Sequence, residues 1–286
     1  MSDPRYWTPG MAAGWRIYAF FCCVILVFLL VPLLVVIPLS FNAKPYFTLT
    51  PEMLRLDPAG FSRQWYAEVL GSRVWRSAFG NSLNIALWAT LIAAILGTSA
   101  ALGLERAKFR GKDLVYALLL LPIFTPHIVL VTGLYFLYAK LGLLESVAGI
   151  IVAHAAIIVP FVLVSVRTAL SIIDPSLLKA AANLGAGGAI AFRTVTLPLA
   201  LPGIAGGALL AFIASFDDLL IVLFLGGPET TTVPRQMWAG IREDMSPAVL
   251  AVSTMLTAVA SLALGASLVL RRKVEAARER KQAAAA

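Results

Sequence analysis

The chain alternates long apolar runs with short polar stretches. Five runs hold no Lys, Arg, Asp or Glu: residues 17–39, 77–104, 114–139, 146–166 and 247–270. A sixth, 199–225, is interrupted only by Asp217 and Asp218. Each is 21 to 28 residues long, and about 20 apolar residues cross roughly 30 Å of bilayer hydrocarbon. Membrane strands would be about ten residues long and would alternate apolar with polar positions. These runs are apolar all round, so they predict six helices, which satisfy their own backbone polar groups. The first run exceeds the roughly 7–15 residues of a signal-peptide core. No small-x-small pattern follows it, so a retained anchor is expected.

Composition strengthens this picture. Of 286 residues, 60% are apolar and 13% charged, against about 45–50% and 25% in soluble domains. A disordered chain, a collagen-like fibre and a disulfide scaffold are excluded. Cys22 and Cys23 are adjacent within the first run and serve as small apolar fillers. The expectation is an all-α, multi-pass membrane protein.

The net charge of +8 then reports topology. With six spans, both termini share one side, and that side carries 15 of the 23 Lys and Arg residues. Its densest basic stretches, 105–113 and 271–281, abut spans. Cytoplasmic loops carry the excess of Lys and Arg, so both termini are expected in the cytoplasm. The plan is an N-terminal tail at 1–16, a six-span region at 17–270 with its core at 77–270, and a tail at 271–286. That tail interleaves Glu275 and Glu279 and ends in four alanines, so no nucleic-acid partner is expected; the lipid bilayer is.

Outside the spans, the segment 40–76 holds Phe41, Tyr46, Phe47, Phe61, Trp65, Tyr66 and Trp75, a composition suited to interfacial anchoring. The inner stretch 167–198 predicts a helical hairpin. Asp174 is a good N-cap, Pro175 suits the first helical position, and Gly185 suits the residue after the C-cap. Leu177, Leu178, Ala181 and Leu184 share a face. After Gly185, Gly187 and Gly188, a second segment at 189–196 is expected to stop at Pro198. The apolar face either packs back on the spans or docks a soluble partner; the pattern leaves both open. In the outer loop 226–246, Gly226, Gly227 and Pro228 break the fifth helix. A short helix at 234–241 presents Trp238, an interface anchor or part of an external gate.

Candidate chemistry is sparse. An aspartate at a helix centre costs about 2.5–3.5 kcal/mol in insertion, so Asp217 and Asp218 are not expected to face lipid. Neighbours on a helix point about 100° apart, so at most one aims squarely into a cavity. The pair lines a cation pathway or caps local structure. His127 and His154 are expected to be hydrogen-bonded structural residues. Pro32, Pro38, Pro122, Pro126 and Pro160 kink or end spans. No P-loop, H-E-x-x-H or G-x-S-x-G pattern occurs. No catalytic residue, metal set or cofactor bound by this chain is therefore expected. A stand-alone ion- or proton-coupled secondary carrier is the alternative reading.

The hairpin resembles the signature of binding-protein-dependent ABC importer permeases: E-A-A-x-x-x-G, nine residues, then I-x-L-P. Here it reads Lys179-Ala180-Ala181-Ala182-Asn183-Leu184-Gly185, nine residues, then Val195-Thr196-Leu197-Pro198. Lys179 stands for the glutamate and Val195 for the isoleucine. Asn81-Ser82-Leu83 is similar to the family's opening of its core helices. Leu39-Ser40-Phe41-Asn42, Ser215-Phe216-Asp217-Asp218, Gly227-Pro228 and Ser246-Pro247 resemble the spermidine/putrescine subgroup. The resemblance implies a type I ABC importer permease fold in the bacterial inner membrane. It implies a second permease chain, different from this one, a cytoplasmic ABC ATPase dimer holding the ATP and Mg, and a periplasmic or lipid-anchored solute-binding protein. Ser176, Leu177, Leu178, Lys179, Ala180, Ala181, Leu184 and Gly185 would then couple to the ATPase. The solute would be small and cationic.

Overall fold

The computed structural model describes residues 9–107, 109–244 and 246–283. Among them the secondary structure is helical, apart from one isolated antiparallel bridge between Asn42 and Phe61. The chain divides into two compact units. One draws on Met1–Ser72 and Gly240–Ala286, the other is Arg73–Ala239.

In the first unit, helix α1 (Pro9–Leu39) runs unbroken through Pro32 and Pro38. Its apolar side chains from Ile17 to Leu34 are largely exposed, as a lipid-facing span requires. A small lobe follows, made of α2 (Pro51–Leu54), a 3-10 turn at Pro58–Gly60 and α3 (Gln64–Gly71). Buried Asn42 organises it. Its Nδ2 donates to Tyr46 O (3.1 Å) and Thr48 O (3.0 Å), its Oδ1 accepts from Lys44 N (2.9 Å), and its carbonyl accepts from Trp65 Nε1 (2.7 Å). Ser40 Oγ pairs with Tyr66 OH at 2.6 Å, and the Tyr66 ring packs on Phe41. Phe41, Trp65 and Tyr66 thus hold the lobe together, a role beyond the interfacial anchoring expected of them.

The core of the second unit is three helices: α4 (Arg73–Arg106), α7 (Val147–Ser171) and α10 (Leu197–Phe216), each packed on the other two. Small residues allow the close approach. Ala89, Ala93 and Ala101 of α4 meet Ala155, Val162 and Val166 of α7 and Ala211 of α10 in one buried cluster. Gly203 and Gly207 lie against Ser165, and Ser165 Oγ donates to Gly203 O at 2.8 Å.

Two of the six predicted spans are broken. The third is α5 (Lys112–Phe124) followed by α6 (His127–Leu141), bent by 100°. Thr125 is extended (φ −82°, ψ 131°), as a residue before proline prefers, and Pro126 has no N–H to continue the ladder. Thr125 closes α5 on Leu121 O, to which both its N–H (2.9 Å) and its Oγ1 (2.8 Å) donate. Arg167, near the C-terminal end of α7, lies over the Tyr116 ring of α5, 4.0 Å from its centroid.

The fifth span stops at Phe216 and resumes as the six-residue α11 (Leu220–Leu225). Its N-terminal end also departs from expectation. The second hairpin segment does not stop at Pro198. Between α7 and α10 lie α8 (Pro175–Asn183) and α9 (Gly188–Ala191), and a π turn at Phe192–Thr196 carries α9 directly into α10. Leu197 N–H reaches back five residues to Phe192 O. A widened turn accommodates both the ring and the missing donor of Pro198. Beyond α11, α12 is Val233–Ala239. In the first unit a second π turn at Gly240–Asp244 precedes α13 (Ala248–Ala283), so the helix continues well past the predicted sixth span.

Candidate functional site

The two span breaks share a cavity. A space of about 490 Å³ is lined by Thr125 and His127 at the first break, and by Asp217, Asp218 and Leu219 at the second. His154 and Phe161 of α7 and Ser215 of α10 complete its polar and aromatic wall. Helix α11 packs on both α6 and α7.

The two aspartates do not occupy consecutive positions of one helix, as the sequence reading assumed. Asp217 is the C-cap of α10, its N–H donating to Ile213 O. Asp218 Oδ1 then accepts from Ile221 N at 2.8 Å and starts α11. A short side-chain acceptor competes well with the backbone for such an N–H, which ends one helix and nucleates the next. The other oxygen, Oδ2, lies 2.9 Å from His127 Nε2, and the Asp218 side chain is only 7% exposed. That contact is close but lacks aligned hydrogen-bond geometry. Both oxygens of Asp218 are therefore occupied. Asp217 is exposed, and its carboxylate makes no hydrogen bond or ion pair among the described residues.

The histidines differ in the same way. His127 is half-exposed and pairs with Asp218. His154 is 1% exposed; its Nδ1 is 2.8 Å from Ser215 Oγ, and its buried Nε2 has no hydrogen-bond partner among the described residues. Ser215 is part of the run that carries the subgroup resemblance, but its partner lies 61 residues away, which no local pattern announces.

On the other side of α11, the loop 226–232 is fastened from three directions. Asn81 Nδ2 donates to Glu229 O (2.9 Å) and Thr231 O (3.0 Å), and Ser82 Oγ accepts from Val233 N (2.9 Å). Arg235 donates to Gly227 O at 2.7 Å, and Glu145 N to Leu225 O at 2.7 Å. Glu145 stacks its side chain on Gly227, where a Cβ would come within 3.0 Å of it. Trp238 lies on α12, partly exposed, and does not line the cavity.

The hairpin forms as its local signals dictate. Asp174 caps α8 by accepting from Ser176 N at 2.8 Å, and this hydrogen bond holds its carboxyl below the usual aspartate range. Gly185 takes φ +84°. Gly185 N–H bonds Ala182 O and Ala186 N–H bonds Ala181 O, closing the helix in a Schellman motif. The predicted apolar face is divided. Leu178 and Ala181 are half-buried, and α8 packs on α9 and the π turn. Leu177 stays 45% exposed and Leu184 89%. Ser176, Lys179 and Ala180 are also exposed.

Residues 89–275 match the family model of the binding-protein-dependent transport system inner membrane component. The putrescine transport system permease protein PotI of Escherichia coli (strain K12) is 34% identical over 87% of this chain and 87% of its own length. The spermidine/putrescine transport system permease protein PotC of the same strain is 29% identical, covering 88% of this chain and 92% of that protein. Among solved structures, a bacterial ABC transporter that imports the acidic polysaccharide alginate matches with a TM-score of 0.70. That match has 17% identity over 93% of this chain and 98% of that one, so it speaks for the fold. A stand-alone secondary carrier is not favoured by these relationships. The chain belongs to the multi-pass inner-membrane permeases of binding-protein-dependent ABC importers.

Proposed function

We propose that this permease forms, with a second and different permease chain, the passage for a small cationic solute such as putrescine or spermidine. Asp217 is its open cation-attracting carboxylate, and Asp218 holds the broken fifth span in shape. A cytoplasmic ABC ATPase dimer, carrying ATP and Mg, grips α8 through Leu177, Leu184 and their neighbours. Residues 176–185 transmit force and do no chemistry. A periplasmic or lipid-anchored binding protein delivers the solute on the outer side, where Trp238 contributes to closure. Both termini lie in the cytoplasm, in keeping with the distribution of Lys and Arg.

The observation that carries the solute class is the unpaired carboxylate of Asp217 on the cavity wall. An anion there attracts a passing ammonium and disfavours an anionic cargo. The names of the polyamine relatives agree with this.

The test is uptake of radiolabelled putrescine by the reconstituted complex. Asp217→Asn should lower uptake at least about tenfold, since a charged hydrogen bond contributes about 1.5–3 kcal/mol. Assembly and ATP hydrolysis should survive. Asp218→Asn should lower the yield of assembled complex. Unchanged uptake in both variants overturns the reading.

A further inference from the structure

We infer that His154 is a specificity-determining residue of the passage, accepting a hydrogen bond at Nε2 from an ammonium N–H of the solute. This rests on the cavity being the solute passage, as proposed above.

The geometry restricts His154 tightly. It is 1% exposed, on α7, and lines the cavity shared by the two span breaks. Its Nδ1 is engaged by Ser215 Oγ at 2.8 Å. Its Nε2 has no hydrogen-bond partner among the described residues and is closed to solvent in this conformation, so a solute reaches it only as the cavity widens during transport. A buried polar atom left unpaired is costly, so such atoms are rare and call for a partner.

The tautomer follows from the wall around it. A neutral imidazole has one donor nitrogen and one acceptor nitrogen. The Ser215 hydroxyl accepts from or donates to Nδ1 equally well. If it donates, Nε2 carries the hydrogen and suits a carbonyl or hydroxyl cargo. If it accepts, Nε2 is a bare lone pair and suits an N–H donor. Asp217 places an unpaired carboxylate on the same wall, which selects a cationic cargo, and an alkylammonium brings three donors. Asp217 would satisfy its charge, and His154 one of the remaining hydrogens. Burial of the ring fixes where that acceptor stands. The assignment also separates the histidines by role: His127 is spent on Asp218, and His154 serves the solute.

Two substitutions divide the ring between its nitrogens. Asparagine places its amide near the Nδ1 position, so His154→Asn keeps a partner for Ser215 and removes the acceptor. Glutamine reaches the Nε2 position, so His154→Gln keeps an acceptor for the solute and gives up Ser215. The whole complex, reconstituted with ATPase and binding protein, is assayed for putrescine imported per ATP hydrolysed, at saturating putrescine-loaded binding protein. Thermal stability is read in parallel. His154→Asn should lower transport about tenfold with stability near wild type. His154→Gln should restore most of that loss. A tenfold effect is about 1.4 kcal/mol, within the range of one such bond.

The reverse order, with Gln impaired and Asn near wild type, makes the Ser215 bond the important one and overturns the inference. So does wild-type transport in both variants, or an equal loss in both. Asp217→Asn in the same assay separates the two levels of argument. If it abolishes transport while His154→Asn does not, the passage reading stands and the role of His154 falls. If the Asp217 and Asp218 variants both transport normally, the passage reading has failed and takes this inference with it.

Discussion

A carboxylate within a bilayer span is tolerable only when its oxygens are engaged or face a polar space, and the neighbouring aspartates divide these options. Asp218 caps Ile221 and faces His127; Asp217 borders the cavity. Removing His127 should therefore harm the protein through Asp218. His127→Ala should destabilise by roughly 1–3 kcal/mol. That is less than the 3–5 kcal/mol or so of a fully buried pair, since the His127 side chain is 39% exposed. Adding Asp218→Asn should recover part of the loss, and a double-mutant cycle of thermal stability measures the coupling. Strictly additive effects would dissolve the pair. In the lobe after α1, Lys44 Nζ donates to Glu52 Oε1 at 2.7 Å and holds the Glu52 carboxyl down to about 2. A depressed carboxylate contributes stability above its unfolded value and loses it as pH falls through the folded one. The contribution should be complete above about pH 4.5, and should fade on acidification toward about pH 2. In Lys44→Met the carboxyl returns toward its ordinary value. Limited proteolysis should then open this lobe more readily in the variant than in the wild type at neutral pH, and the difference should shrink as the pH falls from about 4.5 toward about 2. Capping signals such as Asp174, Pro175 and Gly185 were legible because their partners lie within a few residues. Asn81, Ser82 and His154 were not, because theirs lie 148, 151 and 61 residues away.

Helices were legible wherever apolar character runs unbroken, and their interruptions were not. Proline alone does not decide them: α1 passes through Pro32 and α7 through Pro160 without breaking. At Pro126 the preceding residue turns extended, and its N–H and hydroxyl both close the helix on Leu121 O. The span at 199–225 breaks because Asp218 can cap a new helix, a local competition that an average over apolar positions conceals. How closely the three core helices approach is likewise hidden in sequence, since a glycine signals room without saying for what. Gly203 and Gly206 give opposite answers. A Cβ at Gly203 would lie 2.4 Å from Ala169 Cβ and 3.0 Å from Ser165 O, while one at Gly206 would meet nothing nearer than 3.7 Å. Gly203→Val should force α10 from α7 and cost about 1–3 kcal/mol, the usual range for overpacking. Gly206→Ala should be neutral or slightly stabilising. Detergent-solubilised melting temperature distinguishes them, and equal shifts would contradict the packing described.

The unit Arg73–Ala239 joins the loop 226–232 tied to α4, a polar cavity at two broken helices, and a hairpin between α7 and α10. The hairpin is continuous with α10 through the π turn, so a push on α8 reaches the helix whose far end is capped by Asp217. If an ATPase grips the hairpin as proposed, the load would cross the short turn from α8 to α9 and then pass through the π turn into α10. Burial sorts the residues of the hairpin by task. Leu178 and Ala181 hold α8 to its second arm, and Leu177 and Leu184 remain outward. An outward leucine buried by a partner contributes about 1.5–3 kcal/mol, so each should matter at least tenfold to association. A glutamate in its place adds the cost of burying an unpaired charge. Leu184→Glu and Leu177→Glu should therefore insert and fold normally, yet lose the co-purifying ATPase and the ATP hydrolysis stimulated by loaded binding protein. Leu178→Glu should act differently, loosening the hairpin itself and lowering the yield of permease before any partner is added. Co-purification stoichiometry and permease yield, measured on the same preparations, separate the two classes. Full ATPase recovery with both outward variants would remove α8 from the interface. Loss of permease yield in all three would make its exposed leucines part of the fold instead.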